Sequence, residues 1–163
     1  MKTKIRPATP LDVPDILNFI KQLAVFEKLE HEVSATEETL RTTLFGSNPR
    51  AEVVFMEEAG VKVGFALFFH NYSTFLGKPG LYLEDLFVLP SHRKRGYGKR
   101  LLSHLAKVAV ERGCGRFEWS VLDWNKTAID LYLSMGSKPM DEWTVHRVTG
   151  QALQSLASSA IDG

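Results

Sequence analysis

The sequence predicts one mixed α/β domain, and three observations predict it. At 163 residues the chain is long enough for one packed core and short for two. Hydrophobic residues make up 44% and charged residues 24%, which suits a globular chain and excludes a disordered one. Apolar periodicity switches between helical and extended spacing in the order β-α-α-β-β-β-α-β-α-β.

The first strand is expected over Lys4-Ile5-Arg6-Pro7 and ends at the proline. Thr9-Pro10 or Asp12 caps a long helix, whose apolar positions Val13, Ile16, Leu17, Ile20, Leu23 and Ala24 fall at helical spacing. Phe26 lies off that stripe. After the acidic positions Glu27, Glu30 and Glu32, Ser34 and Glu37 have capping-box spacing and open a second helix, stopped by Gly46-Ser47-Asn48-Pro49. Residues 53–56 and 61–69 read as strands around a tight Glu58-Ala59-Gly60 turn. Residues 71–80 carry turn formers and two exposed-type aromatics, Tyr72 and Phe75.

A central strand spans residues 81–88 and closes at Pro90. A basic loop with glycines follows, then a helix with the stripe Leu101, Leu102, Leu105, Val108 and Ala109, ended by Gly113-Cys114-Gly115. Residues 117–122 form another strand. Asn125 caps a short helix with the stripe Ala128, Ile129, Tyr132 and Leu133, and Gly136 sits at its C-cap position. A last strand is expected over residues 143–148, leaving 151–156 as a short tail. No repeat, linker or low-complexity run interrupts the chain, so residues 1–163 are expected to form a single domain.

Composition excludes several classes. Net charge is +1, so neither nucleic acid nor an anionic membrane is expected as partner. The start, Met1 to Arg6, reaches Pro7 with no apolar core of a signal peptide, and no apolar run nears the ~18 residues of a membrane span. One cysteine, Cys114, permits no internal disulfide and reads as a loop thiol. A cytoplasmic protein is the expectation. His31, His70, His92, His104 and His146 show no ligand spacing, so no metal is expected.

The chemistry concentrates around the central strand. From Leu86 through Val110 there is no acidic residue, while Arg93, Lys94, Arg95, Lys99, Arg100 and Lys107 are basic. Most flank Gly96 and Gly98 at a strand-to-helix junction, where unpaired N–H groups and a partial positive charge meet. Glycines admit a phosphate close to the backbone, and Arg or Lys adds charge-assisted hydrogen bonds. A Walker loop is absent, and the third glycine of a dinucleotide fingerprint is replaced by Leu101. Arg93, Gly96 and Gly98 do satisfy Arg/Gln-x-x-Gly-x-Gly/Ala. On these residues alone, a polyphosphate cradle and a solvated basic helix start fit equally well.

Three strings together, Y-L-E-D-L-F-V-L-P, R-K-R-G-Y-G and V-L-D-W-N-K-T-A-I-D-L-Y, resemble the GNAT superfamily of N-acetyltransferases over nearly the whole chain. Within it the resemblance is to the spermidine/spermine and thialysine acetyltransferase branch, and Ser73-Thr74 with Val121-Leu122-Asp123-Trp124-Asn125 lean to the thialysine arm. The implied fold is a mostly antiparallel mixed sheet, splayed at the cofactor and flanked by helices. The implied cosubstrate is acetyl-CoA, and the implied assembly is a homodimer.

The resemblance puts the CoA diphosphate on Arg93, Lys94, Arg95, Gly96, Tyr97, Gly98 and Lys99, and pairs pantetheine with Leu86, Phe87 and Val88. It places Asn125, Lys126 and Ala128 near the cofactor. Transfer of acetyl to an alkylamine needs a base, since such an amine has a pKa of about 10.4, and a donor for the departing thiolate. The resemblance implies Tyr132 as the donor, although a tyrosine packed with its hydroxyl in solvent would look the same. It implies Glu84 as the base, through a water, or as holder of the ammonium. Adjacent Glu84 and Asp85 face opposite sides of a regular strand, but family members bulge this strand; an arginine partner for one carboxylate is the alternative.

For the acceptor, the family match points to Phe26, Glu27, Glu84, Asp85, Glu118, Trp119, Ser120, Glu142 and Trp143. The Glu58-Ala59-Gly60 turn is shorter than in animal relatives, Phe75 stands where polyamine enzymes carry tryptophan, and the loop before Trp143 is trimmed. The expected reaction is acetyl transfer to a small di- or polyamine, lysine or thialysine-like amine by direct attack. A protein or peptide acceptor, or a CoA-binding module without turnover, are the alternatives.

Overall fold

A computed structural model describes residues 2–161, and the chain divides into two compact units, residues 1–120 and 121–163. The first holds a five-stranded sheet in sequence order: β1 (Thr3–Pro7), β2 (Glu52–Glu58), β3 (Val61–Ser73), β4 (Lys78–Val88) and β5 (Phe117–Trp119). Neighbours are antiparallel except β4 and β5. Helices α1 (Val13–Phe26) and α2 (Glu37–Phe45) connect β1 to β2, and α3 (Tyr97–Glu111) connects β4 to β5. The α3 crossover is what lets β5 run parallel to β4. The second unit carries α4 (Lys126–Ser134) and α5 (Gly150–Ser158).

Alternation along the strands fills one face of the sheet with Val53, Phe55, Phe65 and Phe87. These pack under Val13, Ile16, Phe19 and Leu23 of α1 and Leu40 and Leu44 of α2. Phe19 is the keystone, with ring centroids 5.8, 5.2 and 6.5 Å from Phe55, Phe65 and Phe87. The other face is covered by Leu101, Leu102, Leu105 and Ala109 of α3. Gly64 permits this approach: a Cβ there would lie 3.2 Å from the Phe87 carbonyl oxygen and 3.5 Å from Leu101. The β2–β3 hairpin turns on Ala59 and Gly60, both at positive φ (50° and 83°), as a two-residue hairpin matched to strand twist requires.

An ion network seats the start of α1 on the sheet. Arg6 donates to both oxygens of Asp12 at 2.8 and 3.0 Å and to Glu57 at 2.6 Å. Lys62 lies 3.1 Å from Asp12 and 2.8 Å from Asp15. The hydrogen bonds from Arg6 hold the buried Asp12 carboxyl well below the usual range.

Several expectations are corrected. Residues 143–148 form no strand: they pair with none of the five strands, and strand propensity without a partner does not make a strand. The supposed tail is α5, begun at Thr149 and built from good helix formers. The capping box of α2 is Thr36 with Thr39 rather than Ser34 with Glu37; Thr36 accepts from Thr39 N–H at 3.1 Å. Strand β5 ends at Trp119, short of Leu122. Most of residues 71–80 is strand, with the turn confined to residues 74–77, because β3 and β4 keep pairing out to Ser73 and Lys78.

Candidate active site

One inserted residue shapes the site. Phe68 pairs with Leu83 and Leu67 with Asp85, so Glu84 has no opposite number on β3. Without the bulge, Leu83, Asp85 and Phe87 would share a face. With it, Leu83 joins Phe68 on one side, Asp85 joins Leu67 on the other, and Glu84 and Asp85 line the same pocket. This is the irregularity the family resemblance implies.

The pocket, of about 410 Å³, lies between the end of α1, the segment after it and β4. Its lining carries Glu27, Glu32, Glu84 and Asp85 and no lysine, arginine or histidine. Ile20, Leu23, Ala24, Leu29, Val33 and Ala35 supply apolar wall. Burial, reinforced by the negative charges of Glu84 and Glu27, pushes the Asp85 carboxyl up to about 6. Burial also raises Glu27. Such a cavity favours a cation at its carboxylates and methylenes along its wall, and it holds a carboxyl able to exchange a proton near neutrality. Glu32, not among the acceptor residues expected from the sequence, lines this pocket too; its membership of the acidic stretch was the only available signal.

The basic loop runs from Leu89 to Tyr97 at the C-terminal end of β4. Gly96 is the N-cap of α3 in a left-handed conformation (φ 78°), and Lys94 is left-handed too (φ 63°). A Cβ on Gly96 would meet nothing within 4 Å, and one on Gly98 only Leu86 at 3.8 Å. The helix start is thus uncrowded at both glycines, and a helix N-terminus leaves its first-turn N–H groups without intrahelical partners, so these residues fit a diphosphate. The two arginines are committed inward. Arg93 donates to the Val88 carbonyl at 3.1 Å and stacks over Phe26 and Phe87, 4.6 and 5.1 Å from their centroids. Arg95 donates to both oxygens of Glu58 at 3.1 Å. Strand β4 pairs with β5 only over Leu81, Tyr82 and Leu83. Among the described residues its outer edge along Leu86, Phe87 and Val88 has no strand partner, which suits the amides of a pantetheine arm.

Other residues singled out in the sequence fall elsewhere. Phe26 lines a separate, mainly apolar hollow of about 370 Å³ with Lys21, Gln22, Val25, Phe87, Pro90 and Arg93. Glu118 is ion-paired to Arg116 at 2.8 Å and accepts from Asn71 at 3.2 Å. Trp119 packs edge-on to Phe117, and Ser120 shares a 2.7 Å hydrogen bond with Tyr82. None of these three lines the acidic pocket. In the second unit, Asn125 caps α4, accepting from Ala128 N–H, and Lys126 pairs with Asp130 at 2.9 Å. Tyr132 is half-buried one turn beyond Ala128, while Glu142 and Trp143 are exposed in the irregular chain after α4. Among the described residues no helix is long and apolar enough to cross a membrane.

A glycine-containing loop at the end of a central strand, beside a bulge that gathers carboxylates, is an arrangement suited to an acyltransferase. Comparison with known proteins agrees: the acetyltransferase (GNAT) family model matches residues 17–136, and the chain belongs to that family. It is 39% identical to the L-ornithine N5-acetyltransferase of Arabidopsis thaliana over 96% of this chain and 88% of that one. It is equally identical to the thialysine N-epsilon-acetyltransferase of Mus musculus, over 95% and 97%. Among solved structures, an integron cassette protein from the mobile metagenome of V. cholerae superposes with a TM-score of 0.82 at 26% identity, covering 98% of this chain and 99% of that one.

Proposed function

We propose that residues 1–163 act as one acetyl-CoA-dependent N-acetyltransferase domain whose acceptor is the primary amine of a small diamine, polyamine, or lysine-, ornithine- or thialysine-like amino acid. The observation that carries this is the pocket at the β4 bulge, with four acidic side chains, no basic one and an apolar wall. The named activities of the ornithine and thialysine enzymes, whose acceptors bear an amine on a short chain, support the same class.

The first-turn amides of α3, with Lys94 and Lys99, would hold the diphosphate, and the edge of β4 the pantetheine. Acetyl-CoA, when bound, supplies an acyl group activated as a thioester. Glu27 and Asp85 draw the ammonium into the pocket. Glu84, exposed at the bulge, takes the proton that must leave the amine before it attacks, through a water. Tyr132 donates the proton that the departing thiolate needs. Direct attack requires no acyl-enzyme, so Cys114 has no part in it. The expected assembly is a homodimer.

The test is acetyl-CoA consumption by the purified protein over diamines, polyamines, lysine, ornithine, thialysine and N-terminal peptides. Turnover confined to the small amines supports the proposal. Turnover only with peptides, or tight acetyl-CoA binding with no turnover on any amine, refutes it.

A further inference from the structure

One carboxylate ties the basic loop to the sheet. Glu58 closes β2 next to the hairpin turn and is buried, with 7% of its surface exposed. Three side chains of the loop converge on it. The Tyr97 hydroxyl donates to Oε1, Arg95 spans both oxygens at 3.1 Å, and His92 Nε2 lies 3.3 Å from Oε2. His92 is itself held through Nδ1 by the Ser91 hydroxyl at 2.8 Å. A buried carboxylate without donors would be costly; with these it becomes a fixed point. The Tyr97 hydrogen bond, with help from Arg95 and His92, holds Glu58 below the usual carboxylate range.

We infer that Glu58 is a positioning residue for the acetyl-CoA cradle, acting on the cofactor only through Arg95, Tyr97 and His92. The inference rests on the cofactor reading of the loop given above. By drawing Arg95 and His92 inward, Glu58 keeps two side chains out of the space above Gly96 and Gly98, so that backbone N–H groups meet the phosphates. By gripping Tyr97, the first residue of α3, it sets the direction in which those N–H groups point. The loop's arginines thus contribute order rather than direct phosphate contacts. A bidentate arginine on a buried carboxylate is the geometry suited to this, since it fixes orientation as well as distance.

The experiment compares wild type with Glu58→Gln and Tyr97→Phe by acetyl-CoA calorimetry, steady-state kinetics and amide hydrogen exchange. Glu58→Gln is expected to raise the acetyl-CoA Kd and KM about tenfold, the loss of roughly one charge-assisted hydrogen bond's worth of ordering. The KM for the amine and kcat should move less than about twofold, and amides of residues 92–99 should exchange faster while those of β3 do not. If Glu58→Gln does not fold, Tyr97→Phe, which keeps the ring, should show the same pattern at about threefold. Unchanged acetyl-CoA affinity in a folded variant, or an affinity loss shared equally by the amine, overturns the inference. Wild-type protein that fails to bind acetyl-CoA overturns the cofactor reading as well, so the two failures are distinct.

Discussion

Replacing Asp85 by asparagine should make the protein more stable at neutral and alkaline pH. The folded-state carboxyl is raised from 3.8 to about 6 by burial and by the charges of Glu84 and Glu27. An acid whose folded value lies above its unfolded one binds more protons when folded. Its ionisation therefore opposes folding, and stability falls as pH rises from about 4 through 6. With both values inserted, the penalty at pH 8 is on the order of 3 kcal/mol, about half that at pH 5, and near zero below pH 4. Asparagine is nearly isosteric with the protonated acid and carries no charge to desolvate. Urea unfolding of wild type and Asp85→Asn at pH 5 and pH 8 should show the variant stabilised at both, with the larger gain at pH 8. The same variant should lose amine acetylation, as expected where a site holds an unfavourable charge for function. A variant equally stable at both pH values, or less stable at pH 8, would refute the electrostatic account of the pocket.

Further expectations concern both units. Tyr132→Phe should lower kcat by about 10²-fold or more, with acetyl-CoA affinity measured by calorimetry nearly intact; unchanged turnover removes Tyr132 from the chemistry. Glu84→Gln should reduce kcat/KM more at pH 7 than at pH 9.5, where free amine is more abundant, whereas a uniform loss across the pH–rate profile would assign Glu84 to binding. Gly98→Val should fill the open space above the first turn of α3 and raise the acetyl-CoA Kd at least tenfold by titration. Asp12→Asn should destabilise by about 3 kcal/mol in urea unfolding at pH 7, because Arg6 and Lys62 lose a buried partner. Asp12 sits below its unfolded value, so its contribution is present above about pH 4 and is lost as pH falls, opposite in sign to Asp85.

Much of this was legible in the chain. The helix stripe of α3, the tight turn at Ala59-Gly60, the Asn125 cap and the left-handed Gly136 are local, set by residues a few positions apart. The expected strand over residues 143–148 failed for the opposite reason: it needed an edge elsewhere in the molecule, and sequence pattern carries no information about that edge. The fates of Arg93 and Arg95 were illegible in the same way. Both read as phosphate ligands because their neighbours are glycines and lysines. Within the chain their side chains meet Phe26, Phe87, the Val88 carbonyl and Glu58, which only the folded sheet brings near. Glu58 itself looked like one charge among several at a hairpin turn, and nothing local marks it as buried.

The carboxylates of the first unit sort by what surrounds them, and the sorting separates scaffold from chemistry. Asp12, Glu57 and Glu58 are buried and each is met by donors: Arg6 and Lys62, Arg6 and Lys4, and Tyr97 with Arg95. Each is thereby held in its charged form, and each joins segments distant in sequence. Asp85 is surrounded by apolar wall and other negative charges, and its value rises. Among the described residues no hydrogen-bond or ion-pair donor meets the Asp85 carboxyl, at the place where a single extra strand residue has turned two acids into one pocket. Under the proposed function, the ammonium of an arriving amine would supply Asp85 with the cationic partner that Asp12, Glu57 and Glu58 already have. Binding of the substrate cation should therefore pull the Asp85 value back down. An amine whose affinity rises across pH 5 to 7, as Asp85 ionises, carries the signature of that exchange; an affinity independent of pH in this window would mean the ammonium is held elsewhere.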